Sequence, residues 1–264
     1  MSLSRLYAVE FDVSPSEQLC DDDDAVYCIG SLFALRRPES LNEVGSEFPF
    51  ADERFHLRKY SGSSYAYKRD LRSHLAAIRQ RGTVLLGASI VNQRFIRHVG
   101  KAVWEKANGP IPDPSSFSKK GRPRVLLGGY PVDDEVRAPY EILADDLIVL
   151  GWLAYEAISV QIMLTQICGE LVRLHVLLDR LPNEKGLKAQ NKGELLKATV
   201  TRLTEQTVDV IGHPDVTDHH QRDLLVDNVA GLAREISTCE RPEMWPQALN
   251  EVFSLHRINI RRGT

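Results

Sequence analysis

The sequence predicts an α/β fold in which helices flank a sheet and one helix is long and central. Three observations predict it. Near the start, Leu6 to Asp12 alternates with period two, placing Tyr7, Val9 and Phe11 on one side and Ala8, Glu10 and Asp12 on the other. Further on, short β-branched or aromatic runs alternate with segments whose apolar residues recur every three or four positions. Leu147 to Leu164 is an almost unbroken apolar run of helical length. No fixed-period repeat or compositional break divides the 264 residues, so one domain spanning 1–264 is expected.

Leu6 to Asp12 reads as a strand with Asp12 at its end. After Pro15 and the run Asp21 to Asp24, Ala25 to Leu35 has the content of a second, buried strand, which suggests an antiparallel pair. Pro38, Gly45 and Pro49 mark Arg36 to Asp52 as a loop, and Glu53 to Tyr60 reads as a third strand. Tyr67, Leu71, Leu75 and Ile78 space a helix over Ser64 to Gln80, stopped by Gly82 and followed by the apolar strand Thr83 to Val91. Phe95, Val99 and Val103 define a helix over Asn92 to Asn108. A loop insertion around 109–130 contains the run SKKGRPR and a short strand at Val125 to Gly128. One long helix is expected from Asp133 to Cys168, with Gly169 as its stop. The remainder reads as a strand from Leu171 to Asp179, a basic loop from Pro182 to Gly193 and a helix from Glu194 to Thr204. A short strand from Thr207 to Ile211, a helix from Asp223 to Ile236, a helix around Gln247 to Phe253 and an edge strand from Ser254 to Ile260 complete the chain.

Composition limits the function classes. With 43% hydrophobic and 26% charged residues, the chain is expected to fold rather than stay disordered. A net charge of −3 supplies no global positive field, so contact with nucleic acid has to come from a local basic surface. Cys20, Cys28, Cys168 and Cys239 contain no CxxC pair, which argues against a disulfide framework or thiolate zinc site and fits reduced thiols in a cytoplasm. The opening MSLSRLYAVEFD lacks an apolar signal core, so export is not expected and the cytoplasm is the expected compartment. Glu156 and Gln161 interrupt the long apolar run and Asp145 and Asp146 precede it, so a buried core helix is expected there, not a membrane span.

The chain has no GxGxxG, GxxxxGK[ST], GxSxG or HExxH, the commonest nucleotide-binding, serine-hydrolase and zinc-protease patterns. The chemistry that remains is carboxylates at element ends. Asp12 and Asp179 end strands, and Asp227 lies inside the apolar segment DLLVDNVAGL, one helical turn from Leu224, Ala230 and Gly231. A carboxylate there is expected to need compensation, and Asp223 four residues earlier adds a mild repulsion of about 0.2–0.5 kcal/mol. Gly231 would let a ligand or another segment approach. Converging at one sheet edge, Asp12, Asp179 and Asp227 would form an oxygen-only site suited to Mg²⁺ or Mn²⁺. The ordinary alternative is that each acid is a solvated strand end or helix-surface residue.

Other clusters carry less. Asp21 to Asp24 is a run of neighbours of the kind usually solvated, and His213, Asp215, Asp218, His219 and His220 lack the thiolate or HxxxH that would complete a zinc site. His56 and Lys59 could bind phosphate or move a proton. Lys119, Lys120, Arg122 and Arg124 form the clearest basic patch, extended by Lys185, Lys188, Lys192, Arg261 and Arg262, and are candidate phosphate contacts or a solvated surface.

The order of elements resembles a bacterial family known as domain of unknown function 3800. Phe11-Asp12-Val13-Ser14 stands where the family has a strand running into Asp-Glu-Ser-Gly. HVLLD ends in Asp179, and Leu224 to Gly231 resembles the form Gln-Leu-Ala-Asp followed by two hydrophobic residues and Ala-Gly. The departures are Val13 for the second acid, Pro15 for glycine and Asp223 for glutamine; Glu10, on the same strand face, could supply the missing carboxylate. The resemblance implies a ribonuclease H-like mixed sheet flanked by helices and a setting among mobile elements or antiphage defence genes. By analogy it also implies a divalent-metal nuclease with Asp12, Asp179 and Asp227 as ligands, and Glu10 or Glu53 as a fourth. The contrasting expectation is a noncatalytic ribonuclease H-like module that binds a protein partner or a second copy of itself, which Val13 and the acidic net charge favour.

Overall fold

In the computed structural model, the described residues are 6–14, 19–36, 64–81, 85–111, 126–127, 130–131, 140–168, 173–178, 189–204, 209–212 and 220–261. Along the chain they form β1 (Leu6–Ser14), β2 (Val26–Arg36), α1 (Ser64–Arg81), β3 (Leu85–Asn92), α2 (Gln93–Asn108), β4 (Leu126–Leu127), β5 (Tyr130–Pro131) and α3 (Tyr140–Cys168). There follow β6 (Arg173–Leu178), α4 (Ala189–Thr204), β7 (Asp209–Gly212), α5 (His220–Cys239), a 3-10 turn (Pro242–Met244), α6 (Trp245–Val252) and β8 (Leu255–Asn259). The fold is therefore α/β and mostly helical. The expected strand Glu53 to Tyr60 lies outside the described residues.

Contacts divide the chain into two compact units, one of Met1–Ser16, Asp24–Asn92 and Asp215–Thr264, the other of Glu17–Asp23 and Gln93–Pro214. In the first, β1 pairs antiparallel with β2, β2 antiparallel with β3, and β3 parallel with β8, which makes a mixed sheet. The β1–β2 pair is the antiparallel pair expected from the alternation, and β8 ends the order as an edge strand. One face of this sheet carries the core. Leu71, Leu75 and Ile78 of α1 recur at helical spacing and are buried together with Leu86, Ala88 and Ile90 of β3. Val226, Val229, Ala233 and Ile236 of α5 and Trp245, Leu249 and Val252 of α6 complete the same cluster. Each valine, leucine or isoleucine side chain there contributes about 1.5–3 kcal/mol on leaving water.

The polar flank of α1 is tied to the helices beside it. Lys68 pairs with Glu235, Arg72 with Glu240 at 3.5 Å, and the Arg79 guanidinium donates to the Asn250 carbonyl. Beyond β8, the Asn92 carboxamide acts as a substitute peptide group: its Nδ2 donates to the Arg261 carbonyl at 2.7 Å and its Oδ1 accepts from the Arg261 N–H at 3.1 Å. The chain is thus held along β3 past the last residue of the ladder.

In the second unit, α2 and α3 touch through their backbones. A Cβ at Gly100 would lie 2.1 Å from the Ile148 carbonyl oxygen, and one at Gly151 would lie 2.0 Å from the Gly100 carbonyl oxygen. Only glycine allows so close a crossing. Ile96 and Trp104 of α2 and Leu147, Leu150 and Trp152 of α3 are buried. The long helix α3 contains the single window, among the described residues, that is long and apolar enough to cross a membrane, and 72% of that window is buried. It is the core helix its two polar interruptions suggested. Glu156 is fully buried and accepts a hydrogen bond from Trp152 Nε1, one turn earlier, at 3.1 Å. The parallel strands β6 and β7, in register from His175 and Asp209 to Leu178 and Gly212, and the short antiparallel ribbon β4–β5 complete the unit.

Candidate functional site

The candidate site is built on β1, β2 and α5. In the β1–β2 ladder Glu10 pairs with Leu32 and Asp12 with Gly30, and β1 continues two residues beyond Asp12 to Ser14. Directly paired positions of a ladder share a face. Positions 10 and 12 therefore lie on the same face as position 30, where α5 rests. A Cβ on Gly30 would lie 2.4 Å from the Ala230 nitrogen, 2.8 Å from its Cα and 2.9 Å from its Cβ, so the helix backbone itself occupies that space. Two turns further along α5, Ser237 Oγ is 3.5 Å from Cys28 Sγ. Since Cys28 precedes Gly30 in β2 while Ser237 follows Ala230, α5 runs antiparallel to β2. Asp227, one turn before Ala230, accordingly lies toward Leu32 and its ladder partner Glu10.

The span from position 12 to position 227 can be bounded. Paired strand Cα atoms stand about 4.5–5.5 Å apart, the seat of Ala230 on Gly30 adds about 4 Å, and one helical turn adds about 5 Å. The path is therefore at most about 15 Å. Two carboxylate arms and a pair of ions about 3.5–4 Å apart cover a comparable distance.

Asp227 itself differs from expectation. Its neighbours Val226, Asn228, Val229 and Ala230 are buried, but Asp227 is exposed and stands in line with Gly231, Arg234 and Thr238. Water solvates its charge, so the argument that burial compels a compensating cation does not hold. That polar stripe is visible in the sequence at helical spacing. Asp227 still acts on its surroundings: Tyr67 is pushed up to about 12, first by burial and then by the negative charges of Asp227 and Glu235. A Cβ at Gly231 would meet nothing within 4 Å, so among the described residues no segment lies against it, and the close approach is made at Ala230.

Of the other expected site residues, Asp179 follows directly on β6 but lies outside the described residues, as do Glu53, His56, Lys59, Lys119, Lys120, Arg122, Arg124, Lys185, Lys188, His213, Asp215, Asp218, His219 and Arg262. His220 begins α5. Arg261 is exposed, and its backbone rather than its charge is engaged, by Asn92. Among the described residues, no group of three or more His, Cys, Asp or Glu side chains could hold a metal ion.

The aspartate run has a structural explanation that the sequence did not show. Asp21 to Asp24 are exposed, and the segment is fastened to the start of α2. Gln93, fully buried, donates from Nε2 to the Cys20 carbonyl at 2.5 Å and accepts the Cys20 N–H at 2.7 Å. The Asp23 carbonyl accepts the Arg94 N–H at 2.9 Å, and Arg97 reaches Asp145 at 3.1 Å and Asp23 at 3.6 Å. Burial raises the Asp145 carboxyl, Arg97 opposes that rise, and the charges of Asp146 and Asp21 add to it. The neighbouring amides Asn92 and Gln93 thus perform the same task on two different segments.

A groove of about 380 Å³ between α1 and α5 was also not foreseen. Its floor is Leu232 and Ile236, and its rim includes Lys68, Arg72, Glu235 and Cys239. Its cations are largely neutralised in place, Lys68 by Glu235 and Arg72 by Glu240, with Lys68 Nζ also 3.5 Å from Cys239 Sγ. Comparison with protein-family models finds no match to this chain, and comparisons with curated proteins and with solved structures find none either.

Proposed function

We propose that the chain is a divalent-metal-dependent nuclease of ribonuclease H-like build, with Asp12, Asp179 and Asp227 as ligands of Mg²⁺ or Mn²⁺ and Glu10 as a further carboxylate. The observation that supports it is the seat of α5 on Gly30, which brings Asp227 alongside the strand that carries Glu10 and Asp12. Carboxylates that share a site repel one another, and a divalent cation would relieve that repulsion. Bound there, the ion would lower the pKa of a water and stabilise the leaving oxygen of a phosphodiester. Lys119, Lys120, Arg122, Arg124 and Lys185 are the proposed contacts to the nucleic-acid backbone.

A second reading has its own support. The exposure of Asp227 also suits a solvated surface acid, as expected of a noncatalytic module that docks a protein partner or a second copy. One experiment separates the two: calorimetric titration with Mn²⁺, and cleavage of mixed RNA and DNA, for the native protein, Asp179→Asn and Asp227→Asn. The nuclease reading expects micromolar to millimolar Mn²⁺ binding and metal-dependent cleavage, both lost in the variants. A native protein that neither binds Mn²⁺ nor cleaves leaves the docking module in its place.

A further inference from the structure

We propose that the groove between α1 and α5 is a modification site, in which the Cys239 thiol exchanges with a small disulfide that carries carboxylates. The proposal is independent of the metal-dependent reading above. Three features meet in the groove. Its volume of about 380 Å³ is that of a small-molecule site, and Leu232 and Ile236 give it an apolar floor. Cys239, the last residue of α5, lines it and is exposed, so a ligand lying on that floor reaches the thiol. The thiol also has a proton acceptor and a cation beside it: Sγ donates to Glu235 Oε1 at 2.6 Å, and Lys68 Nζ stands 3.5 Å from Sγ.

The charges around this thiol differ from those around the second exposed one. Lys68, Arg69 and Arg72 stand on the α1 wall, and Arg241 is exposed two residues beyond Cys239; the acids among them are Glu235, Glu240 and Asp70. Arg69 is the most open of these cations, with 64% of its side chain exposed. Cys20, by contrast, precedes the exposed run Asp21 to Asp24, and its Sγ turns to the Asp22 carbonyl at 3.7 Å. Cys28 is fully buried and takes no part. An anionic reagent is therefore drawn to Cys239 and repelled from Cys20.

In the exchange, the Cys239 proton passes to Glu235, and the thiolate, held beside the Lys68 ammonium, attacks one sulfur of the disulfide. A bond forms to Cys239 Sγ as the disulfide's own S–S bond breaks, and the departing thiolate takes the proton back from Glu235. One protein thiol and one disulfide become one mixed disulfide and one small thiol, with no further oxidant. The half that stays covers Leu232 and Ile236, and its carboxylate has Arg69 or Arg72 as a bidentate partner.

The test treats the full chain with dithiobis(nitrobenzoate), a dianionic aromatic disulfide, and with cystamine, a dicationic one, and follows each cysteine by peptide mapping. With the anionic reagent, Cys239 is expected to react about ten-fold or more faster than Cys20, at a rate that saturates with reagent concentration because binding in the groove precedes exchange. With cystamine the preference is expected to shrink or reverse. Arg69→Gln, an exposed substitution, should slow Cys239 by about three-fold toward the anionic reagent and leave Cys20 unchanged. A Cys239 rate that stays linear in reagent concentration, or the same ratio of Cys239 to Cys20 with both reagents, makes Cys239 a merely exposed thiol and overturns the site.

Discussion

Replacing Gly151 by alanine adds one methyl group to α3, and the crossing of α2 with α3 makes its effect calculable. The new Cβ would lie 2.0 Å from the Gly100 carbonyl oxygen, 2.9 Å from the Gly100 carbonyl carbon and 3.1 Å from Trp104 Cβ. Both nearest atoms are backbone, so the helices have to part by about 1 Å at the crossing. A gap of that size forfeits about a quarter to a half of the dispersion well for each contact it opens, and overpacking of this kind costs about 1–3 kcal/mol. Against it stands the better helix propensity of alanine, worth about 1 kcal/mol. The net expectation is a loss of about 1 kcal/mol, or about 2–4 °C in melting temperature. Tryptophan fluorescence suits the measurement, because Trp104 at the crossing and Trp152 beside Gly151 are each 1% exposed. Gly231→Ala is the internal contrast. It is also a mid-helix glycine, but its added Cβ meets nothing within 4 Å, so a gain of about 0.5–1 kcal/mol is expected. If Gly151→Ala melts at or above the native temperature, the backbone contact between α2 and α3 does not exist as described.

Two further outcomes are expected. Gln93→Ala removes both partners of the Cys20 backbone at a cost of about 1–3 kcal/mol, less whatever water recovers. Amide exchange at Cys20 to Asp23 should accelerate, and unchanged exchange there would show that Gln93 does not hold the segment. Burial pushes the Cys28 thiol from its ordinary value near 9 up to about 12, against smaller opposing effects of Ser237 and Arg234. The unfolded chain loses this proton near pH 9 while the folded chain keeps it to about 12, so the native state binds more protons in that window and stability falls as pH rises through it. Tyr67, also raised to about 12, acts in the same direction. The melting temperature should therefore drop less steeply between pH 8.5 and 10.5 in Cys28→Ala than in the native protein, as about one fewer deprotonation is coupled to unfolding. Parallel slopes would refute the assignment.

Almost every element was legible because periodicity is local. Alternation through Tyr7, Val9 and Phe11 announced β1, and Leu71, Leu75 and Ile78 announced α1, since each pattern is the trace of one face being buried. Boundaries fared worse where the end of an element is polar. α4 starts at Ala189 and α5 at His220, upstream of the starts expected at Glu194 and Asp223, because the first turn of each is polar. The helix of Asp227 was found correctly, but its apolar neighbours concealed the exposed stripe to which Asp227 belongs.

The sequence by itself determined the order and type of the elements, the α/β class, and the core character of the long apolar helix. Only the tertiary structure decided that Ala230 rests on Gly30, that Gly100 meets Gly151, and that Gln93 holds Cys20. The physical reason is one of range. Secondary structure is governed by which residues a few positions apart share a face, whereas these contacts join residues 51 to 200 positions apart. Nothing in the composition around any one glycine or amide records the distant segment that will come to lie against it.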